Sequence, residues 1–178
     1  MTTYIALLRG INVGGHHKLP MADLRELLAG IGLSQPRTYI QSGNAAFEGE
    51  EADPAVHARN IRVAINERFG FEPAVLVLPL GALQKAAAAN PYPQAAAEPK
   101  TLHLYFLAEE PSQPDLEGLA ALRDNGEQFT LQDDVLYLYA PAGIGRSKLA
   151  ERVERLLGVQ ATARNWRTVG KLLELAQS

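Results

Sequence analysis

Apolar residues in this chain fall either in short unbroken runs or in stripes at helical spacing, and their order predicts a layered α+β fold. Tyr4 to Leu8 is a continuous run inside a strand expected over Thr3–Leu8 and ended by Gly10. From Met21, the residues Leu24, Leu27, Leu28 and Ile31 recur every three or four positions, between a start at Pro20 and stops at Gly30 and Gly32. Arg37 to Phe47 is strand-like and is interrupted by Ser42-Gly43-Asn44, as a tight turn or bulge would interrupt it. Asp53-Pro54 opens a second helix with Ala58, Ile61, Ala64, Ile65 and Phe69 on one face. Ala74–Leu78 is the next strand. Pro79 begins a short helix that Asn90-Pro91-Tyr92-Pro93 ends, because proline lacks an N–H and disfavours helix before it.

The second half repeats much of this. Thr101–Leu107 predicts a strand, and Ser112–Arg123 a helix opened by Pro114. Glu127–Leu131 and Val135–Tyr139 predict two strands joined across Asp133-Asp134, and Ser147–Leu157 and Asn165–Ala176 two helices. Residues 1–92 then form one β-α-β-β-α-β half. Residues 92–99 are the linker, and 100–178 a β-α-β-β-α half with a closing helix. That order matches most of a split β-α-β unit. A faint internal repeat points the same way: Gly14-Gly15 precede Lys18-Leu19 and a helix, as Gly143 and Gly145 precede Lys148-Leu149 and a helix. Single apolar stripes on the helices predict sheets covered mainly on one face. Trp166, Val169, Leu173 and Ala176 share such a stripe, which makes the one tryptophan a core anchor.

Composition narrows the classes. A chain of 178 residues suits one domain or two small halves, and 47% hydrophobic with 21% charged residues is ordinary for a globular protein. The net charge of −3 argues against a general nucleic-acid coat protein. With no cysteine, disulfides, thiol catalysis and thiolate metal sites are excluded. No export signal and no apolar run near the roughly 18 residues of a membrane span are present, so a cytoplasmic location and no membrane partner are expected.

The charges are unevenly placed. Residues 9–20, 141–149 and 161–173 hold seven of the 17 basic residues and none of the 20 acidic ones, which sets basic segments in an acidic body. In the first, Arg9 offers a planar fork and Lys18 a point charge, while Gly14 and Gly15 let backbone approach a ligand. It does not fit G-x-G-x-x-G. In the second, Gly145 precedes Ser147, an N-cap candidate, with Arg146 and Lys148 beside the positive end of a helix. Cations there are unfavourable by about 0.3–1 kcal/mol unless an anion offsets them. The third combines Arg164, Arg167, Thr168 and Lys171 with Asn165 as a second N-cap candidate. Gln41, Ser42 and Asn44 add neutral hydrogen-bonding groups that either line a site or make the turn. The adjacent His16-His17 pair is poorly suited to holding one metal, so no metal site is expected.

These motifs together, Leu7-Leu8-Arg9-Gly-Ile-Asn-Val-Gly-Gly15, Lys18-Leu-Pro-Met21, Tyr39-Ile-Gln-Ser-Gly-Asn44, Ser147-Lys-Leu149 and Arg164-Asn-Trp166 with Thr168 and Lys171, resemble a largely bacterial family catalogued as domain of unknown function 1697. The resemblance spans nearly the whole chain, although His17 stands where that family more often shows asparagine. It implies an α+β fold of two duplicated ferredoxin-like halves, separate or intertwined into one compact unit, and no established activity or cofactor.

The residues themselves suggest that folding gathers the basic segments into an anion site. Arg9, Lys18, Lys148, Arg164 and Lys171 would hold charge, and N–H groups near Gly14, Gly15 and Gly145 would cradle it. Asn12, Gln41, Ser42, Asn44, Ser147, Asn165 and Thr168 would give specificity. The expected partner is an anionic, phosphate-bearing or nucleotide-like small molecule. The alternatives are a nucleic-acid-binding module using the same cations, or a protein-interaction or structural role. No nucleophile–base pair is assignable, so no reaction is assigned.

Overall fold

β1 (Thr2–Arg9) is the hub of a four-stranded antiparallel sheet, and the computed structural model describes it together with all of residues 1–178. It pairs with β3 (Asn44–Gly49) on one side and β4 (Ala74–Pro79) on the other. β2 (Ser34–Tyr39) lies outside β3, which gives the order β2-β3-β1-β4. α1 (Met21–Gly30) and α2 (Pro54–Phe69) set Leu24, Leu28, Ile61 and Ile65 against Tyr4, Ala6, Leu8, Phe47 and Val77. The ends of α2 are fixed by local chemistry. Asp53 accepts the Ala55 N–H ahead of Pro54, and Gly70 closes the helix at φ 79°.

The second sheet has the same order. β5 (Leu102–Leu107) lies between β7 (Val135–Tyr139) and β8 (Ala161–Asn165), with β6 (Gln128–Gln132) outside β7. α4 (Leu116–Ala121) and α5 (Lys148–Leu157) bury Leu119, Leu149, Val153 and Leu157 against Tyr105, Leu107, Leu136 and Leu138. α3 (Leu80–Ala88) and α6 (Trp166–Gln177) follow β4 and β8 directly. The chain divides into a unit of Met1–Lys85 with Gly170–Ser178, and a unit of Ala86–Val169.

Several expectations change. Ala161–Asn165, where no strand is expected, is strand β8, in register from Leu107↔Ala161 to His103↔Asn165. Its short Ala-Thr-Ala-Arg-Asn sequence has little apolar content, and the open edge of β5 supplies the pairing that propensity does not. The sheets are not covered on one face only, because Tyr4–Leu8 and Leu102–Leu107 are buried at every position. The unbroken apolar run of Tyr4–Leu8, and that of Leu102–Leu107 interrupted only by His103, carried the signature of two-faced burial. The helix expected over Ser112–Arg123 shrinks to α4, because Asp115, not Pro114, starts it by accepting the Gly118 N–H at 2.9 Å. In α6 the buried positions are Val169, Leu172 and Ala176, while Trp166 and Leu173 are half-buried. The glycine repeat also aligns unlike places. The Gly14-Gly15 loop joins β1 to α1, whereas the Gly143–Gly145 loop joins β7 to α5.

Residues 92–99 include a 3-10 turn at Pro93–Ala97. The Tyr92 ring stacks on Tyr139 at 5.8 Å, and its hydroxyl meets Thr130 Oγ1 at 2.8 Å. Arg37 on β2 gathers the end of α6: its Nη1 donates to the Leu175 carbonyl at 3.1 Å and to that of Ser178 at 2.9 Å. A cation at a helix C-terminus complements the exposed carbonyls there.

Candidate functional site

In the first unit the expected binding loop is a small hairpin. Gly10 turns the chain out of β1 at φ 79°, and Val13 and His16 form an antiparallel bridge around Gly14 and Gly15, both at positive φ. Two such residues match the right-handed twist of a two-residue hairpin. Asn12 is the fastener. Its Nδ2 donates to the carbonyls of Leu19 (2.9 Å) and Gln41 (2.8 Å), and its Oδ1 accepts the Leu19 N–H at 2.7 Å. The two Leu19 contacts close the loop between β1 and α1, and the Gln41 contact ties it to the turn between β2 and β3. His17 is occupied in the same way: its Nδ1 lies 3.1 Å from the Gly10 carbonyl and so carries the proton, and its ring stacks on Phe71 at 4.5 Å. Asn44 is fully buried and donates to the Tyr39 carbonyl and to Ser42 Oγ, both at 3.1 Å. Arg9, Gly14, Gly15, Lys18, Gln41 and Ser42 are exposed. Lys171 pairs with Glu174 at 3.5 Å, one helical turn away.

In the second unit two turns face each other across a cleft of about 620 Å³. One wall is the segment leading into α5. Gly143 reverses the chain at φ 87°, and Ser147 caps the helix by accepting the Ala150 N–H at 3.0 Å. Leu149, Val153 and Leu157 anchor α5 in the core, so the exposed side chains of Arg146 and Lys148 stand at its start. The remaining first-turn N–H groups point toward the same end, where the helix dipole is positive. Three expected residues, Gly145, Ser147 and Lys148, therefore line one cavity.

The other wall was not anticipated. It is the turn after α4, with Arg123, Asp124, Asn125 and Glu127. Asn125 and Gly126 adopt positive φ, and the Asp124 N–H donates to Glu127 Oε1 at 2.9 Å. Glu127 is only 8% exposed. Its charge, second to burial, helps push the Tyr105 hydroxyl up to about 12. The chain's ion pairs involve none of Arg123, Arg146, Lys148, Asp124 or Glu127. Asp124-Asn125-Gly126 was legible as a turn, but nothing in its sequence says which loop it faces.

The third basic segment does not join this cleft. Arg164 lies on β8 opposite Leu104, and burial lowers its guanidinium to about 10, so it stays charged at neutral pH. Its Nη1 donates to the Ala163 carbonyl at 2.8 Å. Asn165 accepts the Thr168 N–H at 2.9 Å, the cap that its position suggested, and Thr168 is buried behind it. No helix is long and apolar enough to cross a membrane.

This architecture is a mixed α+β fold with two four-stranded antiparallel sheets and six helices. The chain belongs to the family described as protein of unknown function DUF1697, whose pattern matches residues 1–137. That match includes the hairpin and the Arg123–Glu127 wall, and ends before Ser147–Leu149 and Arg164–Trp166. Among solved structures the chain is similar to that of the conserved bacterial protein SP0830 from Streptococcus pneumoniae, at 22% identity over 98% of both chains with a TM-score of 0.73. At that identity the likeness speaks for the fold alone. No curated protein matches the chain.

Proposed function

We propose that the protein binds a phosphate-bearing small molecule in the cleft of its second unit. The carrying observation is that Arg123, Arg146 and Lys148 line one cavity at a helix start without an ion-pair partner among them. An anion there gains charge-assisted hydrogen bonds and offsets two cations that otherwise oppose the α5 dipole. Small-molecule sites occupy roughly 300–1,000 Å³, a range that includes this cleft.

The test is titration calorimetry with inorganic phosphate, pyrophosphate and mononucleotides, on the wild type and on the Arg146→Ala/Lys148→Ala double variant. At least one of these ligands binds the wild type and loses tenfold or more in the variant. Equal affinity in both proteins, or no binding by any ligand, overturns the proposal. If a short duplex binds instead, with a log–log salt slope near −0.9 per contact, the cations serve nucleic-acid backbone.

We further infer that each unit is ferredoxin-like and that the two arose by duplication. Supporting this are the β-α-β-β-α-β order in both, the strand order of the two sheets, and antiparallel pairing throughout. Superposition of residues 2–79 on 102–165 checks it, and equivalent strands that fail to overlay count against it.

A further inference from the structure

The cleft of the second unit is not uniformly basic. Glu127 lines the cavity that Arg123, Arg146 and Lys148 line, and it forms an ion pair with none of them. Opposite charges around one cavity, held apart beyond direct contact, leave room for a ligand that meets both. A lone phosphate would fill little of about 620 Å³ and would be repelled by the carboxylate. Glu127 is also more than nine-tenths buried, and its one hydrogen bond comes from the Asp124 N–H to Oε1. The Glu127 carboxylate lines the cleft and keeps lone pairs that the Asp124 N–H does not use. A ligand in the cleft can therefore supply a further donor to it. Hydroxyl groups are suitable, since a buried carboxylate accepts from them in a charge-assisted bond without a second positive charge in an already cationic cleft.

We propose that the cleft selects a phosphorylated polyol of about the size of a ribose phosphate. Its phosphate sits at Arg146, Lys148 and the start of α5, and one of its hydroxyls donates to the Glu127 carboxylate. This rests on the anion-binding reading and goes further by naming what the non-phosphate part must carry.

The experiment compares inorganic phosphate with ribose 5-phosphate by calorimetry, on the wild type, Glu127→Gln and Lys148→Ala. The glutamine keeps an oxygen for the Asp124 N–H, so the turn and the fold are retained; circular dichroism and the unfolding midpoint verify this. In the wild type, ribose 5-phosphate binds more tightly than phosphate. Glu127→Gln weakens ribose 5-phosphate about tenfold, the difference between a charge-assisted and a neutral hydrogen bond. The same change tightens inorganic phosphate, because a negative neighbour is gone. Lys148→Ala weakens both ligands alike. If Glu127→Gln shifts both ligands equally, or neither, Glu127 only pins its turn and the polyol inference fails while anion binding stands. If neither ligand binds the wild type, both proposals fall together.

Discussion

Gly43 is the residue at which a single added carbon matters most. It sits at φ 99°, its carbonyl accepts the Leu8 N–H at 2.8 Å, and a Cβ there would lie 2.8 Å from the Leu8 Cβ. A left-handed L-residue costs about 1–2 kcal/mol and overpacking about 1–3 more, so Gly43→Ala should lose about 2–5 kcal/mol in urea melts. A loss below 1 kcal/mol would mean that the turn relaxes freely. Asn12 makes its contribution through hydrogen bonds. Its amide satisfies three backbone groups of two loops, and Asn12→Ala should cost about 2 kcal/mol while loosening residues 10–19 in amide exchange. His103 acts through pH. It is buried opposite Asn165, its Nδ1 has no hydrogen-bond partner, and burial lowers its pKa from 6.5. The unfolded chain therefore takes up a proton that the folded chain refuses. His103 leaves stability intact above pH 6.5, and stability is lost as pH falls from there through the lowered folded value. Urea melts between pH 7.5 and 5 should show this loss in the wild type and less of it in His103→Leu. Parallel curves would clear His103 of the role.

At the scale of elements, local signals succeeded wherever one residue type had one job. Asp53-Pro54 and Gly70 bound α2, and Ser147 and Gly158 bound α5, all by chemistry visible in the sequence. They failed where an element exists only because another needs it. β8 is the clearest case, a strand made by the open edge of β5 out of residues with weak strand preference. The apolar run in β1, and that in β5 broken only by His103, did carry the news of two buried faces, and the helical stripes masked it. The end of α6 depends similarly on a distant residue, since Arg37 reaches the Leu175 and Ala176 carbonyls, and that of Ser178 just beyond, from β2. Arg37→Met keeps the apolar stem and removes the donors. Hydrogen exchange in the last turn of α6 should then rise while that of α2 stays unchanged. Unaltered exchange in residues 173–177 would show that packing of Leu172 and Ala176 suffices.

For the whole molecule, the sequence revealed one side of the site and concealed the other. Gly145, Ser147 and Lys148 could be singled out because cations crowd the positive end of a helix, a local electrostatic conflict. Arg123 and Glu127 lie some twenty residues earlier, in a stretch of ordinary mixed charge, and only the packing of α4 on α5 brings them opposite. Asn12, Asn44 and Asn165 looked like ligand groups because a polar side chain that fastens a loop and one that binds a ligand have the same sequence signature. The conflict at α5 also has a consequence for stability. If Arg146 and Lys148 are held against the dipole for the sake of an anion, the empty protein should gain from their loss, by about 0.3–1 kcal/mol for each. The Arg146→Ala/Lys148→Ala variant should thus melt about 1–8 °C higher than the wild type without ligand, at about 2–4 °C per kcal/mol for a chain of this length. Ligand at a hundred times its dissociation constant adds about 2.7 kcal/mol to the wild type, raising its midpoint about 5–11 °C, and adds little to the variant. The two melting curves should therefore cross in order as ligand is added. A variant less stable than the wild type in the empty state would make these cations part of the fold and remove the reason for assigning them an anion.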